Sequence, residues 1–127
     1  RINIWNIENT STVYNILDIK PRNMEDLDEA ITHCEFHPKM PSVLVYTTSK
    51  GFFHLCDLRE SSSFQKGPSL SFEVGKGQKK NAFSELINCL SSAKFSKTEP
   101  HVLASRDYLN VRLWDIRSAE KMPYMSC

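Results

Sequence analysis

Three side chains that commonly bind metals lie within five residues of one another, at His33, Cys34 and His37. Imidazole and thiolate groups are the ligands that zinc prefers, and a tetrahedral site needs four of them. The sequence has no Cys-x-x-Cys pair or second histidine cluster to supply the rest. In a strand, His33 and Cys34 would also point to opposite faces. We expect structural roles for these residues, with no metal and no cofactor, and keep a small metal-dependent hydrolase as the alternative that metal analysis would test.

Serine, histidine and aspartate are all present, but they do not have the spacing of known catalytic motifs. The sequence contains no Gly-x-Ser-x-Gly elbow, no phosphate-binding glycine loop and no dinucleotide-binding motif, and it has four glycines in all. Asp107 follows Arg106 in a predicted turn, where a carboxylate can accept hydrogen bonds from loop amides. These patterns favour a binding protein over an enzyme.

The overall charge also argues against several kinds of partner. Sixteen basic and fifteen acidic residues leave a net charge of +1, which provides no global field for nucleic acid or an anionic membrane. No apolar run approaches the roughly 20 residues that cross a bilayer, and no signal-peptide pattern opens the chain. We expect a cytoplasmic protein, with the nucleus as a second compartment. The four cysteines are expected to be reduced core thiols.

Short apolar runs alternate with turn residues along the chain, as in antiparallel sheets. Strands are predicted over residues 2–7, 12–19, 31–36, 43–48, 52–57, 70–74, 90–95, 101–105 and 109–115. Asn23 is placed to cap a helical turn over residues 24–30, and a second short helix is predicted over 81–87. The stretch 60–80 is rich in Ser, Gly and Lys, and we expect it to be mostly a flexible insertion.

Two parts of the chain repeat each other. Residues 34–37 align with 93–96, and residues 53–59 align with 111–117. The opening run matches the end of the same unit, so a Trp or Cys recurs at Trp5, Cys56 and Trp114. Four-stranded units of about 40 to 45 residues build β-propellers, and the longer intervals here imply inserted loops. The predicted blade core consists of Trp5, Phe36, Leu55, Phe95, Leu113 and Trp114.

Particular motifs resemble known families. Leu113-Trp114-Asp115 and its weaker echo Leu55-Cys56-Asp57 resemble the WD repeat, although no Gly-His pair completes that signature. Several collinear strings resemble the 55-kDa regulatory B subunits of protein phosphatase 2A: Arg1-Ile2-Asn3-Ile4-Trp5, Asp18-Ile19-Lys20-Pro21, Asn23-Met24-Glu25-Asp26-Leu27, Glu35-Phe36-His37-Pro38, Ser49-Lys50-Gly51 and Ser105-Arg106-Asp107-Tyr108-Leu109. The resemblance implies an all-β fold, a WD-repeat β-propeller fragment of about two blades from a seven-bladed parent, with four-stranded antiparallel blades and a short helical loop.

The resemblance also divides the chain into segments. Residues 1–19 would end one blade, 20–30 would form the helical loop, 31–74 would form a full blade with the flexible insert 60–80, and 81–127 would form most of the next blade. The chain opens inside a strand without an initiating Met, so we expect a piece of a longer protein. A WD-repeat adaptor outside the phosphatase, or a truncated paralogue without function, remains an alternative.

The family resemblance implies a regulatory role. Its members bind the scaffold and catalytic subunits and present phosphoprotein substrates to them, without a catalytic group of their own. The loop that resembles residues 23–30 helps to form their substrate groove. Carried over, Met24 and Leu27 are the apolar contacts, Ala30 is a shallower third, and Glu25 and Asp28 belong to an acidic surround that suits a basic amphipathic segment. The alternative is that Met24 and Leu27 only pin the loop to the propeller.

Overall fold

The computed structural model describes residues 1–9, 11, 13–17, 21–59, 70–76, 78–79, 81–118 and 120–127. Its strands are β1 (Ile2–Trp5), β2 (Val13–Leu17), β3 (Ile31–Phe36), β4 (Val43–Thr48), β5 (Phe52–Asp57), β6 (Leu70–Glu73), β7 (Ser92–Phe95), β8 (Val102–Arg106), β9 (Val111–Asp115) and β10 (Met125–Ser126). A 3₁₀ helix spans Met24–Asp26 and an α-helix, α1, spans Ala82–Asn88. Among the described residues, no helix is long and apolar enough to cross a bilayer.

The strands form three antiparallel sheets. The first pairs β1 with β2, the middle sheet has the order β3-β4-β5-β6, and the third has the order β10-β9-β8-β7. Each four-stranded sheet is a meander in which consecutive strands are neighbours, as in a propeller blade. The all-β prediction with four-stranded antiparallel blades is confirmed. Most of the predicted insert 60–80 lies outside the described residues, so its flexibility and the segment boundaries stay predictions.

Strand β10 was not predicted from the sequence. It is two residues long, and it is defined by backbone bonds to β9: Val111 N–H donates to the Cys127 carbonyl over 2.8 Å, and Cys127 N–H donates back over 2.9 Å. A two-residue strand has no measurable apolar alternation, so pattern analysis has nothing to detect. The third sheet thus has four strands within the described chain.

The larger hydrophobic core lies between the middle and third sheets. It contains Val45, Phe53, Leu55, Phe72, Val74, Leu90, Ala93, Phe95, Leu103 and Trp114. Phe53 and Phe72 stack with ring centroids 4.7 Å apart, and Trp114 meets Phe53 edge-on at 5.0 Å. Offset and edge-on pairs of this kind contribute beyond the area that they bury. The aromatic cluster therefore joins the two sheets.

A second core covers the opposite face of the middle sheet. Ile2 from the first sheet packs with Leu44, Tyr46 and Cys56, and Ile4, Ile31 and Leu58 pack around them. Strand β4 is consequently buried on both faces, and its residues from Leu44 to Thr48 are all buried. A strand covered on both faces carries apolar side chains at successive positions, as Leu44, Val45 and Tyr46 do here.

The predicted core is correct in half of its positions. Leu55, Phe95 and Trp114 are buried, whereas Trp5 is 60% exposed, Phe36 is 48% exposed and Leu113 is half-buried. The repeat explains the errors at Trp5 and Leu113. Trp5 is equivalent to Cys56 and Trp114, which pack towards the preceding sheet. Leu113, the residue before Trp114, points the other way. No described sheet lies on the side that Trp5 faces, or on the side that Leu113 faces.

Phe36 differs from its repeat partner Phe95 for a related reason. It lies on the face of β3 that also carries Cys34, and both side chains are exposed. The first sheet has two described strands, and these cover the middle sheet near Leu44 but leave this end of β3 open. The same geometry corrects the cysteine prediction. All four thiols are free, but only Cys56 is buried, while Cys34 and Cys127 are exposed.

The two four-stranded sheets repeat in detail at the end of their third strands. Asp57 Oδ1 accepts from the Arg59 backbone N–H over 3.0 Å, and its Oδ2 pairs with the guanidinium over 2.7 Å. Asp115 and Arg117 make the same pair of contacts, each over 2.9 Å. The sequence alignment of residues 53–59 with 111–117 therefore corresponds to one turn structure used twice.

Candidate functional site

An open groove of about 620 Å³ runs between the loop 23–30, which we call the groove loop, and strands β1 and β3. The residues that line it are Arg1, Ile2, Met24, Leu27, Glu29, Ala30, Ile31, Thr32, His33 and Cys34. Three predicted site residues, Met24, Leu27 and Ala30, therefore share one groove. Glu25 and Asp28 do not line it. The apolar lining makes the groove able to hold an apolar face of another chain.

The groove loop is less helical than predicted. Asn23 caps it as expected, because its Oδ1 accepts the Glu25 N–H over 3.2 Å, but the helix is a single 3₁₀ turn that ends at Asp26. Leu27 already has extended backbone angles, with φ of −71° and ψ of 105°. The prediction of a helical turn through Ala30 is wrong. The i, i+3, i+6 ridge is replaced by a short turn followed by an extended segment beside β3.

The exposure of Met24 and Leu27 bears on whether these side chains only pin the groove loop to the sheets. Met24 is 53% exposed and Leu27 is 45% exposed, and neither belongs to either hydrophobic core. A side chain that pins a loop is normally withdrawn from water, since the stabilisation comes from the buried apolar area. Their partial exposure along a groove fits a contact surface better than an anchor.

The end of the groove loop is tied to the turn between β4 and β5. Ala30 N–H donates to Ser49 Oγ, and Ser49 N–H donates to the Ala30 carbonyl, both over 2.9 Å. Lys50 Nζ lies 2.5 Å from Asp28 Oδ2. The hydrogen bond with Lys50, together with its charge, lowers the pKa of Asp28, and the same bond raises the pKa of Lys50. The negative charge of Asp28 is therefore partly offset by the positive charge of Lys50.

The carboxylates of the groove loop differ in their surroundings. Glu25 and Asp26 are exposed on the outside of the 3₁₀ turn, and Glu29 is half-buried and lines the groove. Asp28 faces Lys50 instead, and Arg1 contributes a positive group to the opposite wall. Of the four carboxylates of the groove loop, Glu29 is therefore the one that lines the groove.

Sequence reasoning missed the floor of the groove. Ile31, His33 and Cys34 line it from β3, and Ile2 lines it from β1. The strands themselves were predicted, but simple alternation would separate Ile31 and His33 from Cys34, and β3 shifts its register between Ile31 and His33. The approach of β1 to β3 could not have been predicted in this way, because it depends on how the two sheets pack.

Of the three candidate metal ligands, His33 and Cys34 line the groove and His37 lies apart from them. Along the described part of the chain, no group of three His, Cys, Asp or Glu side chains could hold a metal ion. His37 is buried, its Nε2 bonds to the Pro100 carbonyl over 2.9 Å, and its Nδ1 accepts the backbone N–H groups of Lys39 and Met40. Since Nδ1 accepts, Nε2 carries the proton. His37 thus links the middle sheet to the third.

The predicted role of Asp107 as a turn cap is confirmed. Its Oδ1 accepts the backbone N–H groups of Leu109 at 2.9 Å and Asn110 at 2.6 Å, and its other oxygen pairs with Arg112. The side chains of both members of this ion pair are largely buried. Burial of a charge pair requires such additional hydrogen bonds, which fix the β8–β9 turn.

The chain was also compared with known proteins. No family model matches it. It is 44% identical over 121 residues to the beta isoform of the 55-kDa regulatory B subunit of serine/threonine-protein phosphatase 2A from Carassius auratus. The aligned region covers 95% of this chain and 27% of that protein. The chain thus spans about a quarter of the length of this curated relative, and the similarity runs through both the groove loop and the sheets.

Proposed function

We propose that this chain, which belongs to the family of 55-kDa regulatory B subunits of protein phosphatase 2A, binds phosphatase substrates and directs the catalytic subunit to them. The observation that carries the proposal is the 44% identity over 95% of the chain to a member of that family. The chain would act as a regulator and would contribute no catalytic group. Its partners would be the catalytic and scaffold subunits, bound through the full-length protein.

The groove beside the groove loop is the substrate site in this proposal. Met24 and Leu27 would contact the apolar face of a bound segment, and Ala30 would leave room at one end. The exposed carboxylates of Glu25 and Asp26, with Glu29, favour a segment that carries basic residues beside its apolar face. The proposed substrates are therefore phosphoproteins with basic amphipathic segments, and no nucleic acid or membrane partner is proposed.

Affinity capture with the full-length protein tests both parts of the proposal. Wild type is compared with Met24→Asp/Leu27→Asp, and the scaffold subunit, the catalytic subunit and substrates are quantified by mass spectrometry. Charges at these two positions would oppose apolar contact in the groove. Met122→Asp is a matched control, because Met122 is 47% exposed and lies beyond β9, on the sheet edge away from the groove loop.

The proposal expects wild type and the control to capture both phosphatase subunits together with substrates. The double variant should keep the subunits and lose the substrates. If wild type captures neither subunit, the phosphatase role fails and an adaptor outside the phosphatase becomes the better explanation. If the double variant keeps the substrates, the groove assignment fails alone. The proposed location, cytoplasmic and also nuclear, is tested by imaging the tagged protein in cells.

A further inference from the structure

The groove loop has very little apolar support. None of the residues in its 3₁₀ turn is buried, Leu27 is 45% exposed, and Ala30 is exposed as well. Burial of apolar area is the usual source of stabilisation for a surface loop, and it is small here. The conformation that lines the groove must therefore depend on hydrogen bonds and charge.

Those bonds converge on two residues of the β4–β5 turn. Ser49 holds both backbone polar groups of Ala30, with each bond 2.9 Å long. Lys50 holds the Asp28 carboxylate over 2.5 Å. The extended half of the groove loop is thus fastened at two points, while its first half is closed by the Asn23 cap.

The β4–β5 turn is itself firmly placed. Gly51 has a φ of +83°, and a Cβ at this position would lie 2.8 Å from the Asn88 backbone oxygen at the end of α1. Val74 N–H donates to the Gly51 carbonyl over 2.9 Å, which ties the turn to the segment after β6. Contact on two sides makes this turn a rigid support for the groove loop, which bonds to Ser49 and Lys50.

We propose that Ser49 and Lys50 are positioning residues for the groove, and that they hold the groove loop in the conformation that presents Leu27 and Ala30 to a bound segment. The inference rests on the proposed function of the groove and adds the residues that set its shape. Neither side chain lines the groove. Lys50 instead lines a separate cavity of about 150 Å³ with residues of α1. Their effect on a ligand is therefore indirect.

The test uses the full-length protein and two fluorescent peptides. One is an amphipathic helix of leucine and lysine, and the other has glutamine in place of lysine. Ser49→Ala removes one hydrogen bond to the groove loop, and it should lower the affinity for both peptides by about twofold to tenfold. Lys50→Met should lower the affinity for both peptides by the same factor. Ser49→Thr and Lys50→Arg keep the bonding groups and should restore affinity.

A second readout needs no peptide. Amide hydrogen exchange at Ala30 should become faster in Ser49→Ala and Lys50→Met, whereas the melting temperature should stay unchanged, because the loop buries little surface. Lys39→Met is the matched control. Lys39 also donates to a neighbouring segment, at the Thr98 carbonyl over 3.0 Å, but it lies in the turn between β3 and β4, at the opposite end of these strands from the β4–β5 turn. It should alter neither affinity nor exchange.

The outcomes separate this inference from the proposed function. If Lys50 acts only through its charge, Lys50→Met would unmask Asp28, so that the lysine peptide binds more tightly and the glutamine peptide binds as before. That result overturns the inference, and so does unchanged exchange at Ala30 in both variants. If neither peptide binds wild type, the groove function fails, and the exchange data still decide whether Ser49 and Lys50 position the loop.

Discussion

The buried hydrogen bond between Trp114 and Ser105 should be worth a measurable part of the stability. Trp114 is fully buried in the core between the sheets, and its Nε1–H donates to Ser105 Oγ over 2.8 Å. Ser105→Ala leaves that indole N–H without an acceptor, which should cost about 1–3 kcal/mol. Trp114→Phe orphans the hydroxyl and leaves a void, so its cost should be at least about 2 kcal/mol.

The double variant isolates the bond itself. Ser105→Ala/Trp114→Phe replaces both polar partners by apolar groups, so its loss of stability should be smaller than the sum of the single losses by about 1 kcal/mol. Equilibrium urea unfolding of the full-length protein, followed by circular dichroism, measures all four free energies. Ser126→Ala on the exposed strand β10 serves as control and should stay within about 0.5 kcal/mol of wild type.

Strictly additive losses would refute this reasoning. They would show that the indole and the hydroxyl do not depend on each other in the folded protein, although they lie within hydrogen-bonding distance. A loss below about 0.5 kcal/mol for Ser105→Ala would have the same meaning, because a buried donor cannot lose its acceptor without a desolvation cost.

Two further predictions concern the turns that follow β5 and β9 and the turn between β4 and β5. Hydrogen bonds from the arginine two residues further on lower the pKa of Asp57 and Asp115 to about 2. Because the two carboxylates are more acidic in the folded state than in the unfolded state, they stabilise the fold at a pH above their unfolded-state pKa. The free energy of unfolding should therefore fall as the pH drops from about 4 to about 2. Asp57→Asn/Asp115→Asn should make that fall smaller in urea titrations. Gly51→Ala should lower the melting temperature, because its Cβ would meet the Asn88 carbonyl oxygen and its φ is positive; an unchanged value in calorimetry would contradict the geometry.

Much of the local structure was determined by the sequence. The predicted bounds of β3, β4 and β5 agree with the structure, because each is a run of β-forming residues between turn residues such as Pro38 and Gly51. The repeat of residues 53–59 in 111–117 also corresponds to a repeated turn. Asn23 and Asp107 act as caps, as predicted, since a side chain that bonds its own neighbouring backbone needs no distant partner.

Tertiary structure decided everything that depends on what lies opposite a residue. Alternation along a strand defines two faces, but it does not say which face another sheet covers, so Trp5 and Phe36 are exposed while Phe95 and Trp114 are buried. The groove likewise arises where β1 approaches β3 and the groove loop. That loop stops being helical at Asp26, where its backbone leaves the helical bonding pattern and Ala30 bonds to Ser49 instead. Contacts between residues far apart in the chain made these choices, and a local pattern does not contain them.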